Sequence, residues 1–457
     1  MQENQNKKVI TRFPPSPTGP LHIGNVRTAL FNYFFARQND GDFIVRVEDT
    51  DKARSKKEYE ISMLENLEWL GLKRDGDLWH QSERVEIYKK YLEKLINEDK
   101  AYISQETEGE NKEVVRFRNP NKTVTFNDLV RGEVSFDTTE LKDFIIARNI
   151  NEPVYHLSVV VDDFEAGITH VMRGDDHISN TPRQILIQEA IGAPRPIYVH
   201  FPLILASDRS KLSKRKHGEA VSLDYYKDKG YLPEAIVNYL ALVGWNPGTD
   251  KEIFTLDELI KSFNVSQIQK GGAIFDEKKL DWVNKEHMKR LPEDRVREEI
   301  WKRLKGNQTI IEDSKVNDEE FIKKLTPIIF DHISKWSDVD TMLGVGEWTY
   351  FFKAPDYETT LLYSRKKESP NEPKKHLEWI IETLNRAPED SFESSEKIKN
   401  LIFNYATENG RGEVLWPLRV SLSGREKSPD PFTLLYVLGK DESVKRIIDA
   451  GGKLSSN

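Results

Sequence analysis

The segment PPSPTGPLHIG, from Pro14 to Gly24, carries residues that could bind a phosphate group. Its proline-stiffened loop delivers His22 and Gly24 to the predicted start of a helix. Phosphate oxygens favour such a place, because free backbone N–H groups and the helix dipole both point at them. Gly24 leaves room for a flat adenine ring or a ribose, and His22 can donate to developing phosphoryl charge. Alone, however, the H-x-G spacing is more typical of an ordinary turn with a capping histidine.

The basic run KLSKRKHG, from Lys211 to Gly218, follows an apolar strand and offers complementary chemistry. Several cations on a short loop can close over a triphosphate and stabilise the charge that moves onto departing pyrophosphate. Lys211 and Lys214 are the candidate cations. On its own, such a run is more often a solvated loop.

The elements that must position these segments alternate between strand and helix. Residues 9–13 predict a short strand that the prolines end, and apolar residues at helical spacing predict a helix from about Gly24. An Asp-Gly pair at 40–41 ends that helix, and residues 43–47 predict the next strand. This strand–loop–helix–strand unit builds a parallel α/β sheet. Further amphipathic helices are predicted over 57–70 and 83–97.

Residues 102–154 replace this pattern with short strands and turns, which indicates an insertion into the sheet domain. The α/β pattern then resumes with a strand over 168–172. A helix follows, opened by a Thr-Pro pair at 181–182 and ended at Gly192. A strand region is predicted over 197–205.

Helical spacing dominates beyond about residue 225. The apolar faces comprise Leu377, Ile380, Ile381 and Leu384, and then Ile398, Leu401, Ile402 and Tyr405. The segment RKKESPNEP at 365–373 predicts a linker or an exposed loop. The predicted domains are a catalytic first half at 1–101, an insertion at 102–154, a catalytic second half at 155–224, a helical domain at 225–320 and a helical region at 321–457.

The composition restricts the class of protein. A length of 457 residues suggests about three domains. The absence of cysteine excludes disulfides and thiolate-held zinc, so we expect no zinc and a cytoplasmic location. The first residues lack the apolar core of a signal peptide, and no run reaches membrane-spanning length. The net charge of −8 does not decide for or against nucleic-acid binding, since a local basic surface is sufficient.

An HIG loop after the first strand, paired with a KLSKR loop after a late strand, resembles the signature of class I aminoacyl-tRNA synthetases. The chain resembles the glutamyl-tRNA synthetases more specifically, in order and over nearly its whole length. The motifs similar to theirs are TRFPPSPTGPLHIG at 11–24, FIVRVEDTD at 43–51, YHLSVVVDD at 155–163, ITHVMRGDDHISNTPRQ at 168–184, KLSKRKHG at 211–218, FDEKKLDWVN at 275–284 and PLRVSLSG at 417–424.

The resemblance implies a fold and a reaction. The fold would be an α/β Rossmann-like catalytic domain with an inserted α+β acceptor-binding subdomain, followed by all-α stem-contact and anticodon-binding domains. L-glutamate would attack Mg-ATP to give glutamyl-adenylate and pyrophosphate, and the acyl group would pass to the terminal adenosine of tRNA(Glu). A role for tRNA(Gln) as a second acceptor stays open. We expect a monomer without membrane association.

The resemblance also assigns roles to single residues. In the glutamate pocket it implies guanidinium groups from Arg12 and Arg173, an acceptor for the ammonium group in Glu48, and lining by Pro14, Ser16, Tyr155 and Val159. For ATP it implies His22, Gly24, Asp176, Lys211, Leu212, Ser213, Lys214 and Arg215, of which His22, Gly24, Lys211 and Lys214 would be catalytic. Arg419, Ser428 and Pro429 would approach the anticodon. No metal ligand is implied, because ATP would carry the Mg²⁺.

Several positions depart from the family pattern. Pro14 stands where the family usually has alanine, so the backbone there lacks an N–H group. The insertion is short and lacks the cysteines that hold zinc in some relatives. Leu212 and Arg215 replace the methionine and final serine of the general class signature, a variation that the glutamyl enzymes often show.

Other interpretations remain open at this stage. Taken singly, Glu48–Asp51 and Asp175–Asp176 are also typical of capping residues, and Tyr155–His156 of sheet packing. The alternative functions are a glutaminyl-tRNA synthetase, a short paralogue that glutamylates a tRNA base, an inactive tRNA-binding protein and a small-molecule ligase of the same superfamily. The motifs at 16–19 and 48–51 favour glutamate, and Asn25 stands where the glutaminyl enzymes tend to have histidine. The long helical half argues against the short paralogue and the small-molecule ligase, and the retained signature residues argue against an inactive protein.

Overall fold

The computed structural model describes residues 8–106, 112–364 and 371–455. Their contacts divide the chain into two compact units, Met1–His287 and Met288–Asn457. The division falls inside the range 225–320 that the sequence assigns to a single helical domain. The finer five-part division stays a prediction.

The first unit combines strands and helices. Its strands are β1 (Ile10–Phe13), β2 (Asp42–Val47), β3 (Trp79–His80), β4 (Ala101–Gln105), β5 (Glu113–Phe117), β6 (Thr123–Asp128), β7 (Gly132–Asp137), β8 (Phe144–Asn149), β9 (Glu152–Pro153), β10 (His170–Gly174), β11 (Ile197–Phe201), β12 (Ile204–Leu205) and β13 (Ala273–Ile274). Its helices are α1 (Ile23–Gln38), α2 (Lys57–Trp69), α3 (Val85–Asn97), α4 (Tyr155–Glu165), α5 (Thr181–Ile191), α6 (Lys214–His217), α7 (Leu223–Asp228), α8 (Pro233–Leu242) and α9 (Leu256–Ser262). Helix α10 (Glu277–Met288) ends at the division between the units.

Parallel strands form the centre of this unit. Strand β2 pairs with β1 and with β3, and β10 pairs with β11, all in parallel. The start of β1 lies beside the start of β10, because the N–H of Thr169 donates to the carbonyl of Ile10 at 3.0 Å. The carboxyl ends of β1, β2, β10 and β11 therefore share one edge. Chain order reverses between β1 and β10, and ligands of open α/β sheets bind at such a reversal.

The insertion is partly continuous with this sheet. Strands β6 and β7 form an antiparallel hairpin, and β6 joins β11 in parallel through Asp128 and Tyr198. Strands β4, β5, β8 and β9 form a separate antiparallel sheet. Residues 107–111 lie outside the described residues. In the described part of 102–154 we find strands and one short 3₁₀ turn at Thr139–Leu141, and no α-helix.

The expected α+β character of the insertion is therefore wrong for its described part. The reason lies in the period of the sequence. Buried and exposed residues alternate one by one along β6, which fits a strand with one covered face and leaves no helical stripe.

Other predicted elements are confirmed within one to two residues, including α1, β2, α2, α3 and α5. The strand predicted over 168–172 starts later, at His170. The residue before it, Thr169, donates its backbone N–H to the carbonyl of Ile10 in β1. The sheet-packing alternative for Tyr155 and His156 is wrong, since both lie in the first turn of α4. Capping is confirmed for Asp49, which accepts from the N–H and the hydroxyl of Ser82 at 2.8 and 2.6 Å.

In the described residues of the second unit, the regular secondary structure is helical, with no strand. Its helices are α11 (Glu293–Gly306), α12 (Glu319–His332), α13 (Ser337–Gly344), α14 (Thr349–Phe352), α15 (Asn371–Arg386), α16 (Ser395–Asn409), α17 (Arg411–Ser423), α18 (Pro431–Leu438) and α19 (Lys440–Ser455). Apolar residues of the predicted faces, such as Leu377 and Ile402, are fully buried.

The loop predicted over 365–373 is described only in part. Residues 365–370 lie outside the described residues, and residues 371–373 are helical, since they open α15. The prediction is wrong for these three, because proline is tolerated in the first turn of a helix. Over the described part of the chain, no helix combines the length and the apolar character needed to cross a membrane.

Candidate active site

A cavity of about 570 Å³ opens where β1, β2 and β10 end. Its walls come from the loop after β1, the start of α1 and the basic loop after β12. The predicted site residues that line it are Arg12, Pro14, Ser16, His22, Gly24, Glu48, Tyr155, Arg173, Asp176, Lys211, Leu212, Ser213 and Lys214. Side chains that lie as far apart in sequence as Arg12 and Lys214 thus meet at the reversal point of the sheet.

His22 caps the first turn of α1. Its Nδ1 accepts the N–H of Gly24 at 2.9 Å. Burial lowers the pKa of His22, a hydrogen bond with the backbone of Leu212 opposes this, and the charge of Lys211 lowers the pKa further. The neutral ring then keeps its proton on Nε2, because Nδ1 is used as an acceptor. A Cβ at Gly24 would stand 3.1 Å from Nδ1, so a larger residue there would push the His22 ring by a few tenths of an ångström.

Arg12 lies at the end of β1 and is 2 % exposed. Its Nε donates to both carboxylate oxygens of Asp163, at 3.3 and 3.2 Å. Among the described residues, its Nη1 has no hydrogen-bond partner. Burial alone would raise the pKa of Asp163, but the charges of Arg12 and Arg46 outweigh it and hold that pKa below its usual value. The guanidinium of Arg12 is therefore held by Asp163 through Nε, while its Nη1 remains available to a ligand.

Glu48 follows β2 and accepts from Nη2 of Arg46 at 3.2 Å. Arg46 also donates to Asp163 at 2.8 Å. Burial raises the pKa of Glu48, although Arg46 opposes the rise. A carboxylate in this position can bind an ammonium group, whose positive charge would compensate the negative charge that burial disfavours.

Arg173 ends β10 and is 6 % exposed. Its Nε donates to Nε2 of His200 at 3.1 Å, and its Nη2 donates to the hydroxyl of Thr181 at 2.9 Å. Both partners are neutral groups if His200 is unprotonated. Burial lowers the pKa of Arg173, and the nearby charge of Arg12 lowers it further. The two guanidinium groups together make the cavity attractive to a carboxylate.

The basic loop closes the other side of the cavity. Lys211 donates to Asp176 at 2.8 Å, and Lys214 lies 3.2 Å from Glu219. Asp176 does not cap α5, because its side chain turns back towards Gly174. A Cβ at Gly174 would stand only 2.6 Å from Oδ1 of Asp176, so glycine is required for that turn. The exposed lysines are free to exchange these surface partners for a phosphate.

Two predicted residues do not line the cavity. Val159 lies on the buried face of α4 and packs into the hydrophobic core. Arg215 lies on the outer side of the short helix α6, where its side chain is exposed. The roles that the resemblance gives them stay predictions.

Among the lining residues that were not predicted from the sequence, two are titratable, Arg27 and His177. Arg27 is buried in α1 and donates to the backbone carbonyls of Val243 and Pro202. His177 lies 3.3 Å from the hydroxyl of Tyr155, and burial lowers its pKa to about 4. The available signal for Arg27 was a cation directly beside Val26 in a predicted apolar stripe. For His177 it was a third polar residue directly after Asp175 and Asp176.

The predicted anticodon residues lie in the second unit. Arg419, on α17, stacks over the ring of Trp416 with 4.8 Å between its guanidinium carbon and the ring centre. Its Nε is buried without a hydrogen-bond partner in the described residues. Ser428 donates to the carbonyl of Pro429 at 3.2 Å, just before α18. In the described parts of both units, no group of three or more His, Asp or Glu side chains is arranged to hold a metal ion.

The sequence matches two family descriptions. Residues 8–113 and 103–282 match "tRNA synthetases class I (E and Q), catalytic domain", and residues 285–450 match "Anticodon binding domain". The glutamate–tRNA ligase of Carboxydothermus hydrogenoformans is 39 % identical, over 96 % of this chain and 99 % of that protein. The glutamate–tRNA ligase of Aquifex aeolicus is 38 % identical, over 98 % of this chain and 100 % of that protein.

A solved structure resembles the chain equally well. The glutamate–tRNA ligase of Elizabethkingia meningosepticum, crystallised in complex with its amino acid, superposes with a TM-score of 0.86 and 32 % identity, over 98 % of this chain and 100 % of that one. With relatives this similar over nearly full length, the chain belongs to the glutamate–tRNA ligase family of class I aminoacyl-tRNA synthetases.

Proposed function

We propose that the cavity at the ends of β1, β2 and β10 is where glutamate and ATP react. The observation that carries this proposal is the pair of buried guanidinium groups, Arg12 and Arg173, facing one cavity beside a buried carboxylate, Glu48. Glutamate carries two carboxylates and one ammonium group, so the charges of the cavity complement those of the substrate.

The glutamate side chain would meet Arg12 first. Its free Nη1 offers a donor that no protein group uses in the described residues, and a guanidinium edge suits a carboxylate. Arg173 would supply the second guanidinium, and Glu48 would accept the α-ammonium group. Tyr155, Ser16 and Pro14 line the same space. Val159 would act indirectly, because its packing in the core holds α4, which carries Tyr155.

ATP would occupy the side formed by the start of α1 and the basic loop. His22 and Gly24 would contact the nucleotide, with Asp176 opposite. Lys211 and Lys214 would hold the phosphates, helped by Leu212, Ser213 and Arg215. ATP would bring its own Mg²⁺, which neutralises part of the phosphate charge when bound. The residues fit this assignment because the loop presents exposed ammonium groups beside a helix start.

The first step transfers an adenylyl group. An oxygen of the glutamate α-carboxylate bonds to the α-phosphorus of ATP, and the bond from that phosphorus to the bridging oxygen breaks as pyrophosphate leaves. In the second step a hydroxyl of the terminal tRNA adenosine attacks the activated carbonyl and releases AMP. No protein nucleophile is needed. The side chains contribute by positioning substrates and by stabilising charge.

The test is a comparison of substrate dependence in the tRNA-dependent ATP–pyrophosphate exchange reaction. Arg12→Ala should raise the KM for glutamate about 10- to 100-fold, as expected for a lost hydrogen bond to a charged group, with a far smaller change in the KM for ATP. Arg54→Ala is the matched control, since Arg54 is exposed and does not line the cavity. Equal effects of Arg12→Ala on both KM values would refute the assignment.

We further propose tRNA(Glu) as the acceptor, read by Arg419, Ser428 and Pro429 in the second unit. Charging assays with glutamate on purified tRNA(Glu) and tRNA(Gln) test the acceptor directly. Charging of tRNA(Glu) alone would define a discriminating enzyme. Charging of both would define one that also supplies glutamyl-tRNA(Gln).

A further inference from the structure

Arg173 is held from behind by a chain of buried polar groups that begins in the insertion. Asp128, at the end of β6, accepts Nδ1 of His200 at 2.7 Å. Nε2 of His200 accepts Nε of Arg173 at 3.1 Å, and Thr181 accepts Nη2 of Arg173 at 2.9 Å. Asp128, His200 and Thr181 are each 1 % exposed or less. The chain therefore runs from the insertion to the cavity without contact with solvent.

The hydrogen bonds fix which ring nitrogen of His200 carries the proton. A carboxylate only accepts, so the proton between Asp128 and His200 belongs to Nδ1. An arginine Nε only donates, so Nε2 of His200 must offer its lone pair to Arg173. The neutral ring satisfies both demands at once. Burial also lowers the pKa of His200, although Asp128 opposes this.

Asp128 is itself fixed by the backbone around it. One carboxylate oxygen accepts the N–H groups of Val130 and Arg131, both at 2.9 Å. The other oxygen accepts the N–H of His200 at 3.0 Å in addition to the ring. These bonds leave the carboxylate a single orientation. The hairpin turn after β6 thus sets the position of the His200 ring.

Thr181 completes the support of Arg173 from a different element. It is the first residue of α5, and its hydroxyl lies 3.3 Å from Nε2 of His200 as well as 2.9 Å from Arg173. With Nε and Nη2 both engaged, rotation of the guanidinium is blocked in its own plane. Its remaining edge then faces the cavity that Arg173 lines.

We propose that Asp128, His200 and Thr181 are positioning residues that aim the guanidinium of Arg173 at the substrate carboxylate. The inference rests on the proposed function, because it assumes that Arg173 meets glutamate in the cavity. It goes beyond that function by making the insertion, through Asp128, a contributor to amino-acid recognition. Bidentate recognition of a carboxylate depends on the angle of the guanidinium plane, so loss of the support should weaken binding while leaving the charge in place.

The main experiment compares two variants in which an amide side chain replaces the imidazole ring of His200. His200→Gln can put an oxygen near the place of Nε2 and so keep an acceptor for Arg173. His200→Asn can put its amide near the place of Nδ1, which keeps the partner of Asp128 but removes the acceptor for Arg173. Both variants lose the packing of the ring, so that loss cancels in the comparison. KM for glutamate, KM for ATP, kcat and the thermal midpoint are measured for each.

We expect His200→Asn to raise the KM for glutamate about 10-fold over the wild type. His200→Gln, which keeps the acceptor for Arg173 but loses the bond to Asp128, should raise this KM by a smaller but measurable factor. KM for ATP should change less than about 2-fold in both, on the scale of indirect effects. Equal KM values for glutamate in the two variants, or KM changes that follow the thermal midpoint, would overturn the proposal.

A second variant covers the case in which His200→Asn does not fold. Thr181→Val keeps the shape of the side chain and removes the acceptor for Nη2, and it should also raise the KM for glutamate selectively. Arg173→Lys tests the proposed glutamate pocket itself, separately from the positioning role. If Arg173→Lys leaves the KM for glutamate unchanged, the proposed pocket itself fails. If Arg173→Lys raises that KM while Thr181→Val and His200→Asn do not, only the positioning role fails.

Discussion

The buried arginines Arg12, Arg46 and Arg173 lie around the candidate site, and their partners distinguish structural contacts from ligand recognition. Arg46 meets the carboxylates of Asp163 and Glu48, and these charges hold its pKa above the usual value despite its burial. Arg173 has neutral hydrogen-bond partners, and burial lowers its pKa. The charge of Arg46 is thus compensated by carboxylates of the protein, whereas Arg173 has no carboxylate among its hydrogen-bond partners and can bind an anion. The same contrast applies within Arg12, whose Nε is paired and whose Nη1 is not.

The lysines of the basic loop should act on the reacting phosphates. Lys214→Ala should lower tRNA-dependent ATP–pyrophosphate exchange about 100-fold or more, the scale of one lost charge contact of ~3 kcal/mol in the transition state. Lys216→Ala is the control on the same loop, since Lys216 donates to Asp208 and Ser210 and does not line the cavity. An unchanged rate in Lys214→Ala would remove its assigned role.

Glu48 should give the glutamate dependence a pH profile. Burial raises its pKa, so the carboxylate takes up a proton earlier than usual as the pH falls. The protonated form cannot neutralise an ammonium group. KM for glutamate should therefore rise as the pH is lowered through the pKa of Glu48, measured between about pH 5 and pH 8.

Glu48→Gln provides the control for this profile. Its KM for glutamate should be high throughout and flat over the same range. A raised pKa also means that the charged form is less favourable in the folded chain than in the unfolded one, so any stability from Glu48 is present at low pH and lost as the pH rises through that pKa. The substitution should accordingly not lower the thermal midpoint at neutral pH. A wild-type KM without pH dependence would contradict the role.

At the scale of elements, periodicity predicted most helices and strands of the catalytic unit but not their partners. The strand pattern of 123–128 is visible in the sequence, yet its pairing with β11 depends on Asp128 finding Tyr198 some 70 positions later. Likewise a run of valines in the sequence indicates a buried segment, and Val160 and Val161 are buried in the structure. The run alone does not distinguish a helix such as α4 from a strand. Long-range pairing is a property of the folded chain that local spacing does not contain.

The polar groups beneath α4 should stabilise the catalytic unit. Asp162 is fully buried and accepts from Gln81 at 2.9 Å, Arg84 at 2.7 Å and Tyr88 at 2.8 Å, which ties α3 and the turn before it to α4. Asp162→Asn should lower the free energy of unfolding by roughly 3 kcal/mol, because it leaves the partly buried guanidinium of Arg84 without its charge partner. Denaturant unfolding measures this loss.

Glu165→Gln is the matched control, one turn further along α4. Glu165 accepts from the hydroxyl of Tyr91, in an exposed contact. Its substitution should cost less than about 1 kcal/mol. A loss for Asp162→Asn no larger than that for Glu165→Gln would show that the buried network does not stabilise the fold.

At the scale of the whole molecule, the sequence predicted the family, whereas the five-part domain division stays a prediction. The motifs that contain β1, β2 and β10 located the cavity, because these strands end at the same edge of the sheet. They did not locate Arg27 or His200, whose roles depend on carbonyls and carboxylates contributed by distant segments. Site residues that lie within a loop motif are therefore easier to predict than the buried residues that hold them in position.

The second unit should affect tRNA binding without affecting glutamate. Arg419→Ala should weaken tRNA binding about 10-fold, on the scale of one lost contact with a base or a phosphate, with the KM for glutamate unchanged. Arg386→Ala is the control, since Arg386 is an exposed arginine of α15 near Glu382. Filter binding of labelled tRNA checks this, and equal affinities for the two variants would refute the role of Arg419.

The hairpin of β6 and β7 limits how far this protein can be shortened. Because β6 is hydrogen-bonded to β11, the insertion supplies the outer strands of the sheet that also contains β10. Deletion of residues 102–154 would leave β11 as a bare edge with open backbone donors and acceptors, ready to pair with another molecule. A minimal catalytic fragment should therefore keep the hairpin, and one without it is expected to aggregate.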